Sequence, residues 1–149
     1  MIAQFELMFA MKRVLAATLT GCASVPMSDA TQNEALKTFA VPAGKSGIYI
    51  YRNESMGGMV TMDVAVDGNP IGQSCAKTFL YKEVAPGKHT ITSKAENTDT
   101  LTLQTQPGRA YFVWQEVKME FAAARSKLHL VDDATGKQGV AETSLAVGK

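Results

Sequence analysis

The chain reads as an all-β protein, a single antiparallel β-sandwich of about seven strands preceded by an export signal and a flexible tether. Three observations predict this. Val60, Met62, Val64 and Val66 alternate with Thr61, Asp63 and Ala65, the period of two that gives a strand one buried face. Asp67-Gly68, Pro86-Gly87 and Pro107-Gly108 punctuate the sequence as tight turns. The runs between such punctuation recur at roughly 8 to 12 residues, the spacing of sandwich strands rather than of helices.

The elements follow in order. Ile48-Tyr49-Ile50-Tyr51 opens the sheet, with the two isoleucines on one face and the two tyrosines on the other. The alternating run ending at Val66 turns at Asp67-Gly68. Phe79-Leu80-Tyr81 leads to Val84-Ala85-Pro86-Gly87, where proline presets one turn dihedral and glycine supplies the positive one. His89 to Ser93, rich in threonine and isoleucine, is extended. Leu101 and Leu103 alternate with polar residues, and Tyr111 to Val117 is the most apolar strand. Glu116 to Arg125 carries conflicting signals: Glu, Lys, Met and three alanines favour helix, yet Val117, Met119 and Phe121 alternate with Lys118 and Glu120. The alternation is taken as decisive, giving a strand to about Phe121 and a turn through Ala122 to Ser126. Lys127 to Val131 adds a strand closed by Asp132-Asp133-Ala134-Thr135-Gly136. The arrangement expected is Ig- or transthyretin-like, over residues 45–142, with 143–149 a C-terminal tail.

Composition limits the alternatives. With 149 residues, 46% of them apolar and 19% charged, the chain suits one domain with an ordinary core. Fifteen Lys and Arg stand against 14 Asp and Glu, too even a balance for a nucleic-acid partner. No apolar run approaches the length of about 18 residues needed to span a membrane as a helix.

The N-terminus reads as an address. Lys12 and Arg13 precede the apolar Val14 to Thr20, then Leu19-Thr20-Gly21-Cys22, the layout of a secretory signal. Leu-Thr-Gly-Cys resembles the lipobox of bacterial lipoproteins. The resemblance implies diacylglyceryl transfer to the Cys22 thiol, cleavage before it, and acylation of the new amino group, with residues 1–21 as signal and translation starting at Met11. Ala23, in place of an aspartate, implies sorting to the outer membrane, on its periplasmic face. The mature chain is formally neutral, so the lipid and not surface charge holds it to the membrane. Residues 22–44 are read as a tether with a short helix over Glu34 to Phe39.

Candidate chemistry is sparse. With Cys22 lipidated, Cys75 is left without a disulfide partner; beside Lys77 it is a candidate nucleophile for a thiol enzyme using His89 or His129, against the plainer reading of a small residue at a strand end. The two histidines with Asp63 or Glu83 would make a metal site, but packing roles are preferred and no metal is assigned. Glu116 and Glu120 share a strand face as paired carboxylates do in glycosidases, though Lys118 between them points to a solvated face. Gly44-Lys45-Ser46 lacks the earlier glycine and the following helix of a phosphate loop. Tyr49, Tyr51 and Trp114 are candidate ligand-binding aromatics for a glycan or peptide.

Four segments together resemble the bacterial domain DUF2846: Gly47-Ile48-Tyr49-Ile50-Tyr51-Arg52-Asn53; Val66-Asp67-Gly68 with Ile71-Gly72; Val84-Ala85-Pro86-Gly87-Lys88-His89-Thr90-Ile91; and Tyr111-Phe112-Val113-Trp114-Gln115-Glu116. The middle of the chain is also similar to PEGA-type sandwich modules, which share Val-Asp-Gly and Pro-Gly-x-His. The resemblance implies a small lipoprotein and brings no activity with it. The expectation is a non-enzymatic outer-membrane lipoprotein that binds or scaffolds in the envelope. It has no cofactor beyond the lipid on Cys22, and an envelope protein or peptidoglycan is its partner. The alternatives are a peptidoglycan- or glycan-binding module using the aromatics, and an envelope thiol enzyme using Cys75.

Overall fold

β1 (Ser46–Arg52) is buried along its whole length, because both of its faces are apolar and each must be covered. The computed structural model describes residues 25–55 and 60–147; the expected signal peptide and Cys22 lie outside that range. Around β1 stand α1 (Ala30–Leu36), β2 (Met62–Val66), β3 (Asn69–Ser74), β4 (Thr78–Val84), β5 (Gly87–Lys94), β6 (Thr98–Thr105), β7 (Ala110–Glu120), β8 (Ala123–Val131), α2 (Asp133–Ala141) and β9 (Ser144–Leu145). They form a five-stranded sheet in the order β8-β7-β1-β4-β9 and a four-stranded sheet in the order β3-β2-β5-β6. The protein is an all-β sandwich.

Its strands outnumber the seven expected, and the larger sheet is not purely antiparallel. β1 runs parallel to β7, and β4 parallel to β9. The cause lies at Pro107-Gly108, which does not close a hairpin but carries the chain from the smaller sheet into the larger. There Gly108 N–H donates to the Lys45 carbonyl (2.7 Å) and Gly47 N–H to the Arg109 carbonyl (3.0 Å), so β7 enters beside β1 in the same direction.

The isoleucine face of β1 packs inward: Ile48 and Ile50 meet Val64, Val66, Ile91 and Leu103 of the facing sheet. The tyrosine face builds a second core on the outside of the larger sheet, where Tyr49, Tyr51, Phe79 and Phe112 are buried with Val140 and Leu145. Tyr49 stacks on Phe112 with centroids 5.1 Å apart, and Phe39 meets Tyr49 edge-on at 5.4 Å. The Tyr49 hydroxyl donates to the Leu36 carbonyl at 2.7 Å, which fastens α1 onto the sheet.

The covering layer comes from segments read as tether, closing turn and tail. From Val25 onward the supposed tether is folded: Val25 is buried, Met27 bridges Ala146, and Asn33 accepts from Leu145 N–H at 2.9 Å. The short helix begins at Ala30, behind the N-cap Asp29, rather than at Glu34. The tail contributes β9 to the sheet. Asp132-Asp133-Ala134-Thr135-Gly136 is an N-cap and first helical turn, with the Asp132 carboxylate accepting from Thr135 N–H at 2.7 Å. Two glycines lower the intrinsic helicity of α2, and packing compensates. A Cβ on Gly136 would lie 2.2 Å from the Phe112 side chain, and one on Gly139 2.2 Å from the Tyr51 ring.

Two hairpins use two-residue turns with positive φ at both positions: Asp67 and Gly68 (52° and 81°), and Phe121 and Ala122 (50° and 64°). The second is tighter than the turn through Ser126 expected from the alanines. Ala123 and Ala124 are extended in β8, because pairing with β7 overrides helix propensity.

Replacing Gly136 or Gly139 with alanine should lower stability by about 1–3 kcal/mol each through overpacking, a fall of several degrees in Tm by calorimetry. An unchanged Tm would mean that α2 does not rest on the aromatic rings.

Candidate functional site

The residues singled out in the sequence divide by where the fold puts them. Tyr49 and Tyr51 are not a ligand face. They lie beneath α1 and α2, almost wholly buried, because the apolar outer face of β1 needed a cover. Burial also pushes the Tyr49 phenol well above its ordinary pKa. Trp114, from the same strand face further along β7, escapes the helices in part. It stacks on His129 with centroids 4.8 Å apart, and His129 Nε2 lies 2.9 Å from Glu116 Oε1. The structure thus joins one predicted aromatic with one predicted histidine and one predicted carboxylate. Glu120 pairs instead with Arg125 at 3.4 Å on the exposed arm of the hairpin.

Cys75 is fully buried in the core between the sheets and is disulfide-bonded, a correction to the expectation that it lacks a disulfide. The chain's other cysteine, Cys22, lies outside the described residues. A buried sulfur held in a disulfide is not a nucleophile, and neither histidine serves it. His129 is engaged with Glu116. His89 has its Nδ1 2.5 Å from Asp67 Oδ2 and its Nε2 2.6 Å from the Ala85 carbonyl. Asp63 accepts from Gln73 Nε2 at 2.8 Å, and among the described residues no group of three or more His, Cys, Asp and Glu could hold a metal.

The geometry at His89 fixes its charge. Both ring nitrogens face acceptors, so both bonds are made only when both carry protons, as in the imidazolium. Burial works against that charge, but the Asp67 carboxylate and the Ala85 carbonyl outweigh it and raise the pKa of His89. The bond from His89, with a second from Thr90 N–H at 2.9 Å, holds Asp67 below its usual range. Asp67 belongs to the β2–β3 turn and Ala85 to the β4–β5 connection, so the imidazolium staples the two turns together.

At the opposite end of the sandwich lies a polar assembly that no sequence signal marked. Arg52, the last residue of β1, is completely buried. Its Nε and Nη2 donate to Glu54 Oε1 (3.1 and 3.0 Å), and its Nη1 to the carbonyls of Val60 (2.8 Å) and Ser74 (3.3 Å). Burial lowers the Arg52 pKa and the Glu54 carboxylate pushes it back up; a guanidinium so paired stays charged. From Ser74 a buried chain of hydrogen bonds crosses between the sheets. Ser74 Oγ donates to Gln115 Oε1 (2.6 Å), Gln115 Nε2 donates to Ser93 Oγ (2.6 Å), and Ser93 Oγ meets Ser126 Oγ (2.5 Å). Nearby an open cleft of about 370 Å³ is lined by Val60, Thr61, Asp63, Lys94, Ala95, Glu96 and Ala124. Charged groups of both signs on its rim suit a polar ligand. Among the described residues no serine, threonine or cysteine is hydrogen-bonded to a histidine.

Two outcomes test these assignments. The stabilisation from His89 is complete below its ordinary pKa of 6.5 and is lost as pH rises through the raised folded value. His89→Ala should therefore lower Tm more at about pH 6 than at about pH 9, and an equal loss at both would remove the imidazolium from the staple. Arg52→Ala, which leaves Glu54 and two carbonyls without their donor, should cost about 3–5 kcal/mol in urea denaturation.

A family model described as a protein of unknown function (DUF2846) matches residues 42–127. An uncharacterized protein of Haemophilus influenzae (strain ATCC 51907 / DSM 11121 / KW20 / Rd) is 33% identical over 136 residues, covering 89% of this chain and 80% of that protein. No solved structure matches the chain.

Proposed function

The chain belongs to the DUF2846 family, and from that footing we propose that it is a lipid-anchored protein on the periplasmic face of the outer membrane that binds or scaffolds in the envelope and performs no catalysis. The lipobox-like Leu19-Thr20-Gly21-Cys22 behind Lys12 and Arg13 carries the reading, and Ala23 supports outer-membrane sorting. The binding role is supported by what the candidate residues do in the fold: His89 staples turns, Cys75 is buried in the core between the sheets, and the buried serines serve a glutamine network.

The anchor sits close to the folded domain. Only Ala23 and Ser24 separate Cys22 from Val25, whose side chain is in the core. Three residue steps span at most about 11 Å, so the domain would rest close against the bilayer instead of swinging on a tether. The chain has two cysteines, and an intrachain disulfide from Cys75 would use the sulfur that takes the lipid. Lipidation and that disulfide therefore exclude each other.

A second reading, a peptidoglycan- or glycan-binding module, rests on the partly exposed Trp114 with His129 and Glu116 beside it. An aromatic ring edged by a carboxylate and an imidazole suits a sugar. Sedimentation with purified sacculi, lost on Trp114→Ala, would favour it over a scaffold that contacts proteins only.

The anchor is tested directly. Cells fed radiolabelled palmitate should label the wild-type protein and not the Cys22→Ser variant. An unlabelled wild-type product would overturn both the anchor and the localisation.

A further inference from the structure

We propose that the tip of the β7–β8 hairpin is a lipid-contacting arm, with Phe121 and Met119 entering the headgroup region of a bilayer. The first observation is conformational. Phe121 and Ala122 occupy a turn with φ of 50° and 64°, slots suited to asparagine and glycine and unfavourable for a bulky side chain. The same chain fills its other turn of this kind with Asp67-Gly68, the residues that folding alone would select. The strain at Phe121 is not repaid by packing, because its side chain is fully exposed and Met119 is half-exposed. A turn residue that is both strained and apolar in water points to a role outside the fold.

The second observation is how far the arm reaches. Tyr51 of β1 is level with Trp114, so Arg52 ends β1 opposite Gln115, and β7 continues five residues further to Glu120, about 17 Å at strand rise. The β5–β6 connection supports the arm at Ala124, whose carbonyl accepts from Glu96 N–H at 3.1 Å, and the tip lies beyond that support.

The occupant follows from area and charge. One phenylalanine and one methionine on a convex tip offer a few hundred Å² at most, against the ~800 Å² per partner of a stable protein interface. A bilayer interface, by contrast, accepts single protruding aromatic side chains. Glu120 and Arg125 neutralise each other, and exposed Lys118 leaves the arm net positive, the sign that suits anionic headgroups. The proposal rests on the envelope reading above, in which the domain lies close to a membrane.

The test uses the protein as purified from cells, carrying Phe121→Trp, with vesicles of phosphatidylethanolamine and phosphatidylglycerol brominated near the headgroup. Trp114 is the only native tryptophan, so the parent protein sets the background. The expected result is at least a twofold greater quenching in Phe121→Trp than in the parent. Phe121→Asn should raise Tm by relieving the turn while reducing vesicle binding at least fivefold. The arm is overturned if the new tryptophan is unquenched, whether or not the protein sediments with vesicles. It is also overturned if Phe121→Asn lowers Tm, or if that variant loses only a concentration-dependent dimer. Palmitate labelling is read separately: quenching without label would remove the anchor and keep the arm, and label without quenching would do the reverse.

Discussion

A single strand with two apolar faces sets the terms for everything around it. β1 is hydrogen-bonded on both edges and buried on both faces, so it can sit only in the middle layer of a three-layer arrangement. Its isoleucines are covered by the four-stranded sheet, which makes a sandwich. Its tyrosines must be covered by something else, and the chain's two ends supply it: α1 and the residues before it from one side, α2 and β9 from the other. The glycines of α2 follow from the same constraint, since the helix has to lie directly on Phe112 and Tyr51 to close the second core. Burial of large aromatic rings stabilises such a layer far more than the propensity of two short helices could.

The two sheets are held in register by polar contacts as well as by oil. The chain through Ser74, Gln115, Ser93 and Ser126 links β3, β7, β5 and β8. A fully satisfied network of this kind specifies one alignment of the layers, because any slip leaves buried donors and acceptors unmade. At the β8 edge Asn97 accepts from Ser126 N–H and Asp99 from Leu128 N–H, both at 2.7 Å. Side chains of the smaller sheet thus occupy backbone donors that would otherwise template another strand. The Asp67–His89 staple does comparable work between two turns at the opposite end.

This explains what the family-like segments are for. Val66-Asp67-Gly68 and Pro86-Gly87-Lys88-His89 are legible as a resemblance in the sequence, and in the fold they are the two sides of one ionic staple. Gly47 is there because a Cβ would lie 2.8 Å from the Tyr81 ring. Arg52, the last charged residue of the first segment, neutralises Glu54 inside the sandwich. These residues encode the architecture. The cleft beside the Arg52 assembly and the exposed Phe121 are not accounted for by that architecture.

Local pattern alone determined that the chain is a β-sandwich, where most strands lie, and that Ile48 and Ile50 oppose Tyr49 and Tyr51. Period-two alternation and turn chemistry act over a few residues and survive without tertiary context. Only the tertiary structure decided that β7 runs parallel to β1, that Ala123 and Ala124 are strand, that the supposed tether and tail are structural, and that Tyr49 and Tyr51 are core. Most of these depend on a partner far away in sequence: β1 for β7, Leu145 for Asn33, and α2 for the tyrosines; the alanines depend on β7 just across the turn. An exposed aromatic and a buried one have the same letters on either side of them, and the difference lies in what another part of the chain places on top.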